Sequence, residues 1–212
     1  MAATGCADDL GAGGRPLPID TTDFAALEAA LAIHREIAPH GKPLINSVNG
    51  EERYLRRILP LAAEYGAAVI GVALDDEGIP EMPEARLAVA RKIAERAESG
   101  GVPREDVVID CMALSVSTDP QAGRVTLEAI RRVREELGVN MTLGPSNISF
   151  SLPERENLHW AFMAMAIQNG VNCPIVNVSR DRPFILAVDV LLSRDPYAER
   201  YVAAYRERSK QE

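Results

Sequence analysis

Five short apolar runs in this sequence lead to a carboxylate or an amide: Leu17-Pro-Ile-Asp20, Pro43-Leu-Ile-Asn46, Val107-Val-Ile-Asp110, the run from Met141 towards Asn147, and Pro174-Ile-Val-Asn177. Carboxylates only accept hydrogen bonds, whereas an amide both donates and accepts without changing charge. Such a set, with no basic residue in it, suits a neutral heterocycle rich in N–H donors, such as a pterin. One carboxylate can take a ring N–H and an exocyclic amino group together as a bidentate pair. Each position alone also fits a helix cap, because Asp and Asn are common there. Asn147 stands at the centre of Met141-Thr-Leu-Gly-Pro-Ser-Asn-Ile-Ser-Phe-Ser151. An amide at that point suits a ligand atom whose protonation changes during reaction. Read by itself, the stretch is equally a strand-to-helix loop: Gly144 and Pro145 shape the turn, and Ser151 with Glu154 has capping-box spacing.

Other chemistries find little support. Cys6, Cys111 and Cys173 are three widely spaced cysteines without a CxxC pair, so neither a disulfide framework nor a zinc cluster follows. His34, His40 and His159 lack HExxH or HxC spacing and read as surface or core residues of helices. No bound metal is expected. Residues 11–14, Gly-Ala-Gly-Gly, precede a strand where a phosphate loop would follow one, and residues 1–16 read as a poorly patterned lead-in.

The chain has 212 residues, 47% hydrophobic and 25% charged, which are the proportions of one soluble globular domain, read here as residues 17–212. A net charge of -8 argues against a nucleic-acid surface, since neutralising phosphates needs clustered Lys and Arg. No apolar run approaches the roughly 20 residues of a membrane span, and the N-terminus lacks a secretory pattern. A cytoplasmic protein is the expectation.

The elements that must carry the five polar ends follow from periodicity. Residues 17–20 read as a short strand, and Thr22 caps a helix carrying Phe24, Leu27, Leu31 and His34 on one face up to about Ala38. After strand 43–46, Asn49 and Glu52 cap a helix with Leu55, Ile58, Leu59 and Ala62 as its buried stripe, and Gly66 stops it. The unbroken apolar run from Ala67 to Leu74 fits a strand covered on both faces. A loop from Asp75 to Pro80 leads to a helix from Pro83 to about Ser99. Strand 107–110 follows, and Asp119-Pro120 opens a helix that Gly138 ends. Beyond residues 141–151, a helix packed through Trp160, Met163 and Met165 runs to about Asn169. Strand 174–177 and helices over Phe184–Leu192 and Tyr197 to about Arg206 complete the chain. About six strand–helix units at spacings of roughly 25 to 40 residues make either an open doubly wound sheet or a (β/α)8 barrel. In a barrel, the polar strand ends converge on one face.

Ile19-Asp20-Thr-Thr, Leu44-Ile-Asn-Ser47, the Asp75–Pro80 loop, Val108-Ile-Asp110 and Gly144-Pro-Ser-Asn-Ile-Ser-Phe-Ser-Leu-Pro153 closely resemble the pterin-binding methyltransferases. These are the methyltetrahydrofolate:corrinoid protein methyltransferases and the folate domain of cobalamin-dependent methionine synthase. The resemblance runs from about Leu17 to Tyr197; its Ser-Asn-Ile-Ser-Phe stretch is specific, its Ile-Asp and Ile-Asn strand ends are not. It implies a (β/α)8 TIM-barrel fold that binds 5-methyltetrahydrofolate at the strand C-termini and passes the methyl group to cob(I)alamin on a corrinoid protein. On matching positions, Asp20, Asn46 and Asp110 hold the pterin ring, Asn147 hydrogen-bonds N5, and Gly144 and Ile175 line the ring. Asn177 joins them as a strand-end amide.

The resemblance is incomplete at one end. Family barrels begin with two further strands before the one at Leu17, where this chain has residues 1–16. A barrel lacking its first two βα units exposes apolar edges, so either a truncated form or a homodimer covering the gap is expected. Phe150 falls where some members carry a polar residue, and the methionine-synthase-like members match it. Dihydropteroate synthase shares the barrel and the Ile-Asp and Ile-Asn signals, but its Ser-Arg-Lys loop and Arg-x-His ending are absent. A non-catalytic pterin- or corrinoid-protein-binding subunit is the remaining alternative.

Overall fold

The computed structural model describes residues 17–210; the lead-in at residues 1–16, with Cys6, lies outside the described residues. Six strands, β1 (Pro18–Asp20), β2 (Leu44–Asn49), β3 (Ala68–Val72), β4 (Val107–Asp110), β5 (Asn140–Leu143) and β6 (Cys173–Pro174), form one sheet. All neighbours are parallel, and their spatial order is their chain order. Between and after them run α1 (Phe24–Ile37), α2 (Glu52–Tyr65), α3 (Pro83–Ser99), α4 (Ala122–Leu137), α5 (Arg155–Asn169), α6 (Val178–Leu191) and α7 (Glu199–Arg208).

Register separates the two faces of this sheet, because partners in a parallel ladder point to the same side. One row set, Ile19–Ile45–Val69–Val107 and Gly71–Ile109–Met141, lies under the helices, and Ile45, Val69, Val107, Ile109 and Met141 are fully buried there. Fully burying such a side chain contributes about 1.5–3 kcal/mol, so this face drives folding. Gly71 permits the close approach of α3: a β-carbon there would stand 2.7 Å from Ile93 Cγ2. The opposite face carries Asp20–Asn46–Ile70–Val108–Asn140 and Asn49–Val72–Asp110–Thr142–Cys173.

Each helix packs on the next in the chain, from α1 on α2 to α6 on α7, while α1, α2 and α3 also rest on β1, β2 and β3. A doubly wound sheet would reverse its strand order and cover both faces. Strands in chain order inside a single ring of helices are the arrangement of a (β/α)8-type barrel, here six βα units curled into a partial barrel. Among the described residues, β1 and β6 pair on one side only.

Several local expectations need correction. Asp23 caps α1 in place of Thr22, its Oδ1 accepting from Ala25 N at 2.8 Å and Ala26 N at 3.0 Å. The Asn49/Glu52 box does not form, because β2 continues to Asn49 and the Asn49 amide instead exchanges two bonds with Glu51. Asp119 folds its carboxylate onto Gln121 N, and α4 starts at Ala122. Ser151 and Glu154 both adopt left-handed backbone (φ 64° and 45°), so the box expected there is absent. Strand 174–177 shrinks to Cys173–Pro174, since Asn177 already caps α6, which begins six residues before Phe184. Gly66 and Gly138 do end α2 and α4, each with the positive φ that glycine adopts without strain.

Candidate functional site

The site is built first where β1 meets β2. Asp20 and Asn46 are register partners, and both line a notch of about 120 Å3 with Asn49 and Tyr54. Phe24 and Tyr54 form its apolar wall, their ring centroids 5.6 Å apart. A register shift between Asn46 and Val48 lets the strand bury Val48 against the helices and still return Asn49 to the open face beside Val72. Among the described residues, the side chains of Asp20 and Asn46 make no hydrogen bond. Asn49 is the residue that helix-cap reasoning misassigned. The clue was its spacing from Asn46, which becomes same-face spacing only once the irregularity is included.

Asp110 ends β4 between Val72 and Thr142. Its Oδ1 accepts the Met112 N–H at 2.7 Å. Burial pushes its pKa up to about 6, against the lowering effects of that backbone bond and of the Arg86 guanidinium. The carboxylate is thus poised where proton uptake and a hydrogen-bonding ligand compete. Sequence reasoning missed Arg86, a fully buried guanidinium on α3.

Asn147 projects from a 3-10 turn, Pro145–Ser149, directly after β5. Its Nδ2 lies over Gly144, where a β-carbon would come within 3.6 Å of it. The amide is exposed and unbonded among the described residues. The turn beneath it is clamped: Val116 N donates to Ile148 O at 3.0 Å, and the Ser115 and Ser117 hydroxyls donate to Phe150 O at 2.7 and 3.0 Å. From the other side Arg155 donates to Ser146 O and stacks over the Phe150 ring. The loop carrying Asn147 and the loop following Asp110 are therefore tied to each other.

After β6, Ile175 is exposed, its N–H donating to Leu143 O at 2.8 Å. Asn177 caps α6, its Oδ1 accepting from Arg180 N and Ser179 Oγ. That occupies its carbonyl oxygen, while among the described residues its Nδ2 makes no hydrogen bond. Beneath it, buried Asp181 accepts from Trp160 Nε1, Arg180 Nε and the Asn177 N–H. Burial works to raise the Asp181 pKa, but Arg180 and Trp160 outweigh it and hold the carboxyl below its usual range.

Asp20, Asn46 and Asp110 thus share the open face of the sheet, and Asn147 and Gly144 sit on the loop tied to the one after Asp110. A larger groove of about 1450 Å3 lies elsewhere, lined by the α3 N-terminus, α4 and α5 and by none of the strand-end residues. The strand ends are the better candidate because Asp20, Asn46 and Asp110 share one face of the sheet and, among the described residues, the Asp20 and Asn46 side chains carry no hydrogen bond. Among the described residues, no cluster of three or more His, Cys, Asp or Glu is placed to hold a metal ion, and no helix is long and apolar enough to cross a membrane.

Comparison with known proteins identifies the family of the chain. The chain is 32% identical over 181 residues to methionine synthase of Mycobacterium leprae (strain TN), covering 79% of this chain and 15% of that protein. It is 29% identical over 200 residues to the methylcorrinoid:tetrahydrofolate methyltransferase of Eubacterium limosum, covering 91% and 71%. Dihydropteroate synthase from Thermus thermophilus superposes with a TM-score of 0.59 at 25% identity, covering 84% of this chain and 70% of that one. The chain thus spans only about 15% of the length of the methionine synthase it matches. Residues 8–177 match the family described as pterin binding enzyme, and the chain belongs to that family.

Proposed function

We propose that this protein binds 5-methyltetrahydrofolate by its pterin ring and passes the N5 methyl group to cob(I)alamin carried by a separate corrinoid protein, in the cytoplasm. The observation that carries the reading is the Asn147 amide over Gly144, unbonded among the described residues, on a loop tied to the one that follows the Asp110 strand end. The relatives named methionine synthase and methylcorrinoid:tetrahydrofolate methyltransferase support it.

In this reading Asp110 accepts N–H bonds from the pyrimidine side of the pterin, Asp20 and Asn46 hold its edge in their notch, and Ile175 covers its face. Asn177 contributes its free Nδ2. The cobalt supplies the nucleophile, so the protein needs no Ser, Cys or Lys in that role. A tertiary amine leaves poorly, and N5 must be met by a proton or a strong hydrogen bond as the methyl departs. Asn147 serves both protonation states of N5, because it offers a donor and an acceptor on one side chain.

Methyl transfer from methyltetrahydrofolate to cob(I)alamin, followed by the change in corrin absorbance, tests the proposal. Pterin binding without transfer at any enzyme concentration would favour a non-catalytic binding subunit. Condensation of a pterin pyrophosphate with p-aminobenzoate would favour the dihydropteroate synthase reading, which the structural likeness keeps in play.

A further inference from the structure

Arg86 is 1% exposed, yet among the described residues no carboxylate lies within ion-pair distance of it. Its Nε donates to Pro80 O at 2.8 Å, and its Nη1 faces Cys111 O at 2.9 Å, Met112 O at 2.8 Å and Thr126 Oγ1 at 3.0 Å. The Thr126 hydroxyl donates to the same Met112 carbonyl at 3.1 Å. Met112 stands at φ 58°, a left-handed backbone that is unfavourable for a non-glycine residue. It is gripped at both ends, by Arg86 and Thr126 on its carbonyl and by Asp110 Oδ1 on its N–H.

A buried guanidinium is a costly way to satisfy carbonyl oxygens, which a neutral donor could do. Its geometry here gives it a second consequence. With Met112 locked, one lone pair of Asp110 Oδ1 is engaged, and the rest of that carboxylate stays available to the open face. We propose that Arg86, seconded by Thr126, is a positioning residue for the pterin site, orienting Asp110 through the backbone of Met112. The inference rests on the pterin-binding reading of Asp110 given above.

The charge acts in the same direction as the geometry. Around Asp110, β3 presents Val72 and β5 presents Thr142, both uncharged. The neighbouring Cys111 thiol is driven up by burial and stays neutral, while Asp119 acts on Arg86 from the loop after β4. Arg86 is thus the cation that opposes the upward push of burial on Asp110. Removing it weakens both the bond to Met112 and the preference for the ionised carboxylate.

The test titrates the full chain with 5-methyltetrahydrofolate from pH 5 to 8.5 for wild type, Arg86→Met, Arg86→Lys and Thr126→Val, with circular dichroism as the folding control. Wild-type affinity is expected to fall as pH drops through about 6. Arg86→Met should move that midpoint upward by about one unit, as expected for loss of a nearby opposite charge, and weaken binding at pH 7 about tenfold or more. Arg86→Lys should keep the midpoint but not the full affinity, since it retains the charge and loses the planar fork. Thr126→Val should weaken binding a few-fold with an unmoved midpoint, as loss of a single hydrogen bond to Met112 predicts. An equal loss in Arg86→Met at every pH would mark a structural role alone and overturn the proposal. If Arg86→Met does not fold, wild-type affinity in both Arg86→Lys and Thr126→Val overturns it equally. A carbon-13 titration of the Asp110 carboxyl, assigned by its loss in Asp110→Asn, needs no ligand. A midpoint that rises in Arg86→Met supports the positioning role even if wild type fails to bind pterin, an outcome that would sink only the reading of the site. A midpoint that stays put sinks the proposal itself.

Discussion

Asp110 Oδ1 accepts the N–H of Met112 at 2.7 Å, although the carboxylate ends a buried strand and Met112 has already turned into left-handed backbone. A chain leaving the sheet at its C-terminal end has thereby been folded back to hold the side chain that it has just delivered. Barrels place reactive groups at this rim because the strand ends are rigid while the loops vary.

Asp110→Asn should separate stability from binding. The folded protein holds a proton on Asp110 up to about pH 6, whereas an unfolded chain releases it near its ordinary value of 3.8. Stability from this group therefore falls as pH rises between those values and is lowest above about 6. Asn retains an acceptor for Met112 and carries no charge, so the variant should gain on the order of 2 kcal/mol of stability at pH 7.5. It should lose on the order of 1.5–3 kcal/mol of methyltetrahydrofolate affinity. Denaturant titration and calorimetry measure the two; unchanged affinity would remove Asp110 from the site.

Asn147→Ala should slow methyl transfer about a hundredfold, by analogy with deleting one charge-stabilising donor, and weaken ground-state binding much less. Stopped-flow transfer beside a direct binding titration makes the comparison. Equal losses in affinity and in overall efficiency, with the bound-state rate constant unchanged, would reduce Asn147 to a positioning contact.

Asp181→Ala should destabilise the protein by about 3 kcal/mol, because a buried acceptor for Trp160, Arg180 and the Asn177 N–H is lost. The midpoint of urea unfolding reports this. A wild-type midpoint would mean that water replaces the carboxylate without cost.

A homodimer or higher oligomer is the expected state in solution, since among the described residues β1 and β6 pair on one side only and large apolar side chains lie exposed outside the sheet. Ile37 on α1 is 71% exposed and Tyr197, just before α7, is 97% exposed. Light scattering that returns a monodisperse, cooperatively melting monomer would contradict this.

The alternation of apolar runs and amphipathic helices was legible in the chain itself, because burial against helices demands a run such as Val69–Ile70 or Val107–Ile109 whatever the wider topology. The polar ends Asp20 and Asp110 were legible for the same reason, as side chains that interrupt an apolar run where it leaves the core, whereas Asn46 proved to lie inside β2, which runs on to Asn49. Local capping motifs were less reliable: Asn49/Glu52 and Ser151/Glu154 have the right spacing, but the strand continues through one and left-handed backbone breaks the other. Only the tertiary structure decided that strand order follows chain order, which makes a barrel rim of those ends instead of the crevice of a doubly wound sheet. Only it brought Arg86 to the carbonyls of Cys111 and Met112, and Ser115 to Phe150. Those pairs lie 25 to 35 residues apart. No local propensity encodes them, since each bond depends on where α3, β4 and β5 come to rest once their apolar faces are buried.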